Sequence, residues 1–404
     1  MIDVRILRRL DRYVLGAVTL VFGPVVKLLS SGRDPLSLRK VLLIKLWAIG
    51  DSVLSLPLIH AIRDRYPDSE IDVLCHASNR SVFDNTNGAV SNVVEIGIRN
   101  VLRLFRKYDV CFDTEPYLNL SAILSAYCAR RRVGFRNRLR WLYYHHTVDT
   151  DLNRHAVEKY LEMGTFFGIT GRNRLVPLGG SNRSREAAER LLLENGITPE
   201  GAPVGFCAAV GNSVKARQWP RDRFRELAKR ILDDGTAGRV ALFGTAGDRE
   251  LNAYIRDGDP RIADLSGKAT LEETFFLIRS MKAFVSNDTG PMHIAAAQGV
   301  PTLGLFGPSC PELWAPYGEG NRYISHGREV CEYCPCNVPH KGLVPECYLK
   351  GESKDICIRA ITVEEVYQAI REMMRTSAPA PARAASPGRP GGTPSSKRKS
   401  ASRE

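Results

Sequence analysis

The chain has 404 residues, 44% of them hydrophobic, with ten cysteines and a formal net charge of +13. That length suits two ordinary α/β domains, each with its own core. The positive charge predicts attraction to anionic surfaces, but no zinc-finger or RNA-binding motif accompanies it and the cations do not share a patch with aromatics, so nucleic acid is set aside as a partner.

The chain opens on Ile2, Val4, Ile6, Leu7 and Leu10 alternating with Arg5, Arg8, Arg9 and Arg12. An apolar segment from Val14 to Leu29 follows, broken by Thr19, Pro24 and Lys27. It falls short of the roughly 20 apolar residues that span a bilayer. Residues 1–38 are therefore expected to form a basic, partly amphipathic helix in the membrane interface. A signal peptide and a helix packed on the first domain are the rival readings. No small-x-small cleavage site follows the apolar core, which favours the anchor.

From Arg39 the pattern becomes regular. Val41–Ile44, Ile71–Cys75, Val93–Ile96 and Val110–Asp113 read as short buried strands, with a helix from Asp51 to Tyr66. Short apolar strands alternating with helices indicate a parallel sheet covered on both faces. Cys75, Cys111, Cys128 and Cys207 sit in apolar surroundings and read as buried small hydrophobes. The polar turn Gly179-Gly180-Ser181 suits an interdomain connection, dividing residues 39–180 from 181–376. A second α/β series runs through strands Val204–Cys207, Val240–Phe243, Ala283–Val285 and Thr302–Phe306, with helices Arg221–Leu232 and Asp248–Arg256. Thr362-Val363-Glu364-Glu365 is a capping box that opens a last helix to about Arg375, expected to fold back toward the first domain. Residues 377–404 are rich in Ser, Ala, Pro, Gly, Lys and Arg and read as a disordered basic tail.

The most informative stretch is Val285-Ser286-Asn287-Asp288-Thr289-Gly290-Pro291-Met292-His293, a strand, a polar turn and a helix start. Pro suits the first helical turn, Gly290 permits close backbone approach, and the free N–H groups there can face an anion such as a diphosphate. An ordinary strand-turn-helix junction is the competing reading. In the loop after the first strand, Asp51 can take a proton from an acceptor hydroxyl or cap its helix. Lys215 and Arg217 precede Trp219-Pro220 and can neutralise phosphate, or belong to a solvated loop. Asp248 can bond a ribose diol or cap a helix. No Gly-x-Gly-x-x-Gly follows a strand and no Gly-x-x-x-x-Gly-Lys-Ser/Thr is present, so dinucleotide oxidoreduction and P-loop hydrolysis lose ground.

Taken together, these motifs resemble glycosyltransferase family 9, the ADP-heptose:lipopolysaccharide heptosyltransferases, across roughly Val41 to Arg375. The resemblance is carried by Leu43-Ile44-Lys45-Leu46 through Ile49-Gly50-Asp51-Ser52, by Gln218-Trp219-Pro220, by Gly247-Asp248-Arg249-Glu250-Leu251, by Leu265-Ser266-Gly267-Lys268, and above all by Ser286 to His293 with Leu305-Phe306-Gly307-Pro308. It implies a GT-B fold, two doubly wound Rossmann-like α/β domains facing a central cleft. It also implies inverting, metal-independent transfer of a heptose or related sugar from an ADP-sugar. Asp51 is then the general base, Thr289 and Gly290 hold the diphosphate through backbone N–H groups, Asp288 contacts sugar hydroxyls, and His293 supports the donor loop. The chain departs from the family in having Arg217 where Lys is common, with Lys215 nearby, and Asp248 where many members have Glu.

The implied acceptor is an anionic lipid-linked glycan such as a lipopolysaccharide core. Arg130, Arg131, Arg136 and Arg138 belong to a dense basic run that suits it. The implied setting is cytoplasmic, peripheral at the inner face of the bacterial inner membrane. Cys331, Cys334, Cys336 and Cys347 offer a structural zinc site by ligand type, although their spacing is irregular, and free thiols or an opportunistic disulfide are the rival readings. The alternatives are a same-fold transferase using another nucleotide sugar, or a non-catalytic, membrane-associated nucleotide-sugar or glycan-binding protein.

Overall fold

The computed structural model describes residues 9–29, 38–211, 214–338 and 346–376. The alternation expected over Ile2 to Leu7 and the tail 377–404 lie outside the described residues. Twelve strands form two parallel six-stranded sheets. The first contains β1 (Lys40–Lys45), β2 (Glu70–Cys75), β3 (Asn92–Glu95), β4 (Tyr108–Asp113), β5 (Ala129–Arg136) and β6 (His146–Asp149), in the order β3-β2-β1-β4-β5-β6. The second contains β7 (Val204–Cys207), β8 (Val240–Leu242), β9 (Ile262–Asp264), β10 (Ala283–Asn287), β11 (Thr302–Phe306) and β12 (Arg322–Ser325), in the order β12-β11-β10-β7-β8-β9. Both sheets are doubly wound. Their order reverses beside β1 and β4 in one and β7 and β10 in the other, where ligands of such sheets bind.

The central strands read as continuous apolar runs because helices cover both faces. Val41, Leu42, Leu43 and Ile44 are all fully buried. Strand β5 escaped the sequence reading because its arginines hide it. They are accommodated by backbone carbonyls: Arg132 Nε donates to Tyr143 O (2.5 Å) and Nη1 to Ala129 O (3.1 Å). Strands β6, β9 and β12 have only three or four residues each, too few to show a period.

Five helices matter below. They are α1 (Gly16–Leu29), α2 (Ile49–Arg65), α3 (Asn119–Cys128), α4 (Gly290–Ala297) and α5 (Val363–Thr376). Helix α1 continues a π-helical turn, and the joint run Asp11–Leu29 is long and apolar enough to cross a membrane by length and composition. Helix α2 of the first half packs on α4 of the second. At their contact a Cβ on Gly50 would stand 2.4 Å from His293 Cδ2, and one on Gly290 would stand 3.2 Å from Ile49 Cβ. The two glycines let the starts of both helices meet.

The last helix does not fold back on the first half. Its capping box forms as expected, Thr362 N donating to Glu365 Oε2 (2.8 Å) and Glu365 N to Thr362 Oγ1 (3.3 Å). Its apolar stripe, Val366, Ile370 and Met373, then joins the core of the second half with Trp219, Phe224 and Leu227. Tyr367 Oη donates to Asp234 Oδ2 (2.5 Å) and Arg230 pairs with Glu364 (2.6 Å). A nearby amphipathic helix, Arg221–Asp233, had an unfilled apolar face, and α5 fills it.

Candidate active site

A cleft of about 740 Å³ opens between the halves at the carboxyl ends of both sheets. Ala48, Ile49, Gly50 and Asp51 line it from the first half. Cys207, Arg217, Phe243, Thr245, Asp248, Asp288, Thr289, Gly290 and His293 are among its residues from the second.

Asp51 is not the cap of its helix. That position falls to Ala48, held at φ 67°, and Asp51 lies in the first turn with its carboxylate on the cleft. Lys45 at the end of β1, fully buried, places its Nζ 3.4 Å from Asp51 Oδ2, 3.8 Å from Glu115 Oε1 and 3.4 Å from Thr114 O. Burial lowers its pKa, but Glu115, Tyr160 and Asp51 together outweigh burial and keep the ammonium charged. Glu115, just beyond β4, also accepts from Leu46 N (2.7 Å) and Trp47 N (3.1 Å), pinning the loop that carries Asp51. Sequence reasoning passed over Lys45 and Glu115. Their signal was charge at the carboxyl ends of β1 and β4, the neighbouring strands where the sheet order reverses.

Across the cleft, Thr289 precedes α4 in extended conformation. Its hydroxyl lies 3.2 Å from Ser286 Oγ and 3.7 Å from Cys207 Sγ, so the turn sits on packed side chains. Asn287 braces it: Oδ1 accepts from Trp219 N (3.0 Å) and Nδ2 donates to Ala208 O (2.7 Å). Trp219 is fully buried and its indole donates to Ile361 O (2.9 Å), tying the preceding loop to the start of α5. That loop delivers Arg217 to the cleft, Nη1 donating to Asp288 Oδ2 (3.2 Å). Lys215 is exposed and is not brought to the cleft.

Asp248 lines the cleft but its Oδ2 already accepts from Thr245 N and Thr245 Oγ1, both at 2.7 Å, so it closes a capping box headed by Thr245 and does not cap the following helix with its own side chain. His293 is 3% exposed, and burial lowers its pKa despite Asp288 and Asp51 nearby. Burial thus favours the neutral imidazole, and its Nδ1 has no hydrogen-bond partner among the described residues.

The basic run does not form one patch. Arg130, Arg136 and Arg138 are exposed, whereas Arg131 and Arg132 are buried within β5. Arg140 is wholly buried, its Nη2 on Asp113 Oδ2 at 2.9 Å.

Cys331, Cys334, Cys336 and Cys347 converge with Cys357 on one small cavity of about 10 Å³. Among the described residues, however, no three His, Cys, Asp or Glu side chains are arranged to hold a metal ion. Cys334 Sγ is directed to Gly307 O (3.8 Å) and Cys347 Sγ accepts from Asp355 N (3.4 Å). As arranged, these thiols are free and do not make the zinc site that their residue type offers.

Two doubly wound sheets, with a carboxylate, an arginine and a helix start lining the cleft between them, suit a group-transfer enzyme with an anionic donor. Comparison with known proteins agrees. The profile of glycosyltransferase family 9 (heptosyltransferase) matches residues 99–337, and the chain belongs to that family. It is a glycosyltransferase. It is 29% identical over 308 residues to lipopolysaccharide heptosyltransferase 2 of Escherichia coli (strain K12), covering 70% of this chain and 87% of that one. The fold is GT-B. It matches the structure of E. coli ADP-heptose lipopolysaccharide heptosyltransferase II at TM-score 0.65 and 24% identity, covering 83% of this chain and 99% of that one. The structure of E. coli heptosyltransferase WaaC with ADP matches at TM-score 0.60 and 22% identity, covering 83% and 99%.

Proposed function

We propose that the chain transfers a heptose from ADP-heptose to an anionic, lipid-linked core oligosaccharide, with inversion and without a catalytic metal. One observation carries this reading: Asp51 and the Thr289–Gly290 helix start, on two helices whose first turns meet, line a single cleft. An acceptor hydroxyl at Asp51 loses its proton as its oxygen attacks the anomeric carbon, and the carbon–diphosphate bond breaks on the opposite face. Arg217 and the backbone N–H groups of α4 take up the charge of the leaving ADP. Those groups supply the compensation that a metal supplies elsewhere. Asp288, held by Arg217, faces the sugar hydroxyls; Asp248 serves the ribose; His293 fills the space under the loop.

The acceptor docks on residues 39–180, with Arg136, Arg138 and Arg130 meeting its anionic groups, and the donor on residues 181–376. Arg131 is too enclosed for direct contact. The chain works at the cytoplasmic face of the inner membrane, where lipid-linked acceptors present their sugars. The test is calorimetry of ADP, UDP and GDP with the full chain. Selective ADP binding supports the reading. Selective UDP or GDP binding moves the donor, and no binding by folded protein removes it.

A further inference from the structure

Residues 98–106, Ile-Arg-Asn-Val-Leu-Arg-Leu-Phe-Arg, form the short helix Ile98–Leu102 and the turn after it. Leu104 points into the core, 4% exposed, but Ile98, Leu102 and Phe105 are 83%, 63% and 61% exposed. Arg99, Arg103 and Arg106 are interleaved with them. The transfer reaction does not use this outer row, and Phe105 reaches the fold through its contact with Tyr127 while most of its surface stays exposed. Its chemistry suits an apolar medium bordered by anions, which is the interface of an acidic bilayer.

The same half carries α1, fastened along its length. Asp11 accepts from Asn119 N (3.0 Å) and Leu120 N (2.9 Å), satisfying the free N–H groups at the start of α3. Gly23 lies against Leu142, and Lys27 Nζ donates to Tyr144 O (2.7 Å). The outer side shows Leu20, Val21, Phe22, Val25, Leu28 and Leu29, each more than half exposed. A spanning helix would have to release all three attachments; one lying in the interface keeps them.

Helix α3 connects the two apolar features. Its start holds Asp11, and Tyr127 near its end lies against Phe105 at 5.0 Å between ring centroids. Ten residues make it about 15 Å long. Arg106 N, at the end of the 98–106 turn, donates to Tyr127 O (3.0 Å), fastening that turn to the end of α3.

We propose that residues 98–106 are a second lipid-contacting element, which together with the outer side of α1 docks this chain flat on an anionic phospholipid surface. Two contacts on one rigid half fix its orientation, where a single helix would leave rotation about its axis. The proposal deepens the membrane association above and rests on it for the identity of the surface.

The experiment is co-sedimentation of the full chain with vesicles of phosphatidylglycerol and phosphatidylethanolamine, against phosphatidylcholine alone. Binding should favour the acidic vesicles, and Ile98→Ser with Leu102→Ser should weaken it roughly tenfold. Equal binding by the double variant overturns the proposal, as does failure of the wild type to bind vesicles. A lipid-free dimer that the double variant dissolves also overturns it. Should that variant misfold, Ile98→Trp with brominated lipid decides: quenching beyond that of the native tryptophans supports the contact, and none refutes it. ADP binding measured on the same samples separates the two readings. Vesicle binding without ADP binding removes the donor assignment alone, and the reverse removes this one.

Discussion

Asp51 combines exposure to the cleft with a buried cation behind it, and the two do different work. Lys45 is locked between Asp51, Glu115 and Thr114 O, so it orients the Asp51 carboxylate without entering the cleft. Asp51→Asn keeps the shape and removes the base. Turnover should fall roughly 10²–10⁴-fold while ADP binding, read by calorimetry, stays within a few-fold. Arg217 is the cation the structure brings to the cleft. Arg217→Gln should weaken ADP about tenfold or more, the scale of one charge-assisted hydrogen bond. Lys215→Gln should change it little, and the contrast between the two titrations checks the assignment. Asp51, Thr289 and Gly290 were legible because motif order and residue type announce them. Lys45 and Glu115 were not, because a charge at or just past the end of an apolar strand gives no sign of which neighbour it meets.

At the scale of elements, the strongly apolar strands β1, β2, β4, β7, β10 and β11 were readable from composition alone. Strand β5 was not, since its buried Arg132 is paired by the carbonyl of Tyr143, beyond the strand, and by that of Ala129 at its start. The loop from Lys215 to Pro220 shows how one element positions another. Trp219 sits in the core of the second half, holds Asn287 through its backbone and Ile361 through its indole, and so sets where Arg217 emerges. Trp219→Ala should cost about 3–5 kcal/mol, seen as a lower denaturant midpoint. ADP affinity should fall with it even at temperatures where the variant is folded. A melting curve unchanged from wild type would refute the role given to this side chain.

The whole molecule depends on contacts between its halves, and one of them titrates. His155 Nδ1 accepts from Val157 N (3.2 Å) while Nε2 lies 2.9 Å from Ala315 O, so the ring is the neutral Nε2–H tautomer. Burial, which outweighs the hydrogen bond to Ala315, pushes its pKa down from 6.5 to about 4. A base whose folded pKa is depressed contributes stability above its unfolded value and loses it as pH falls. Stability should therefore be intact above pH 6.5 and decline from there toward pH 4, by at most roughly 3 kcal/mol from this group. Denaturant titrations at stepped pH read the slope. His155→Gln should flatten that limb, and an unchanged limb would assign the acid sensitivity elsewhere.

Sequence by itself pointed to the family through the resemblance of its ordered motifs, and it determined the alternating α/β pattern and the turns at the carboxyl ends of the strands because apolar runs and turn residues act locally. Only the tertiary structure decided which of those residues share a cleft. It chose Arg217 over Lys215, split the basic run into surface and interior, kept α5 on the second half and left the cysteines short of a metal site. Each of those outcomes depends on what a side chain meets across the fold, and proximity between distant segments is not written in their spacing.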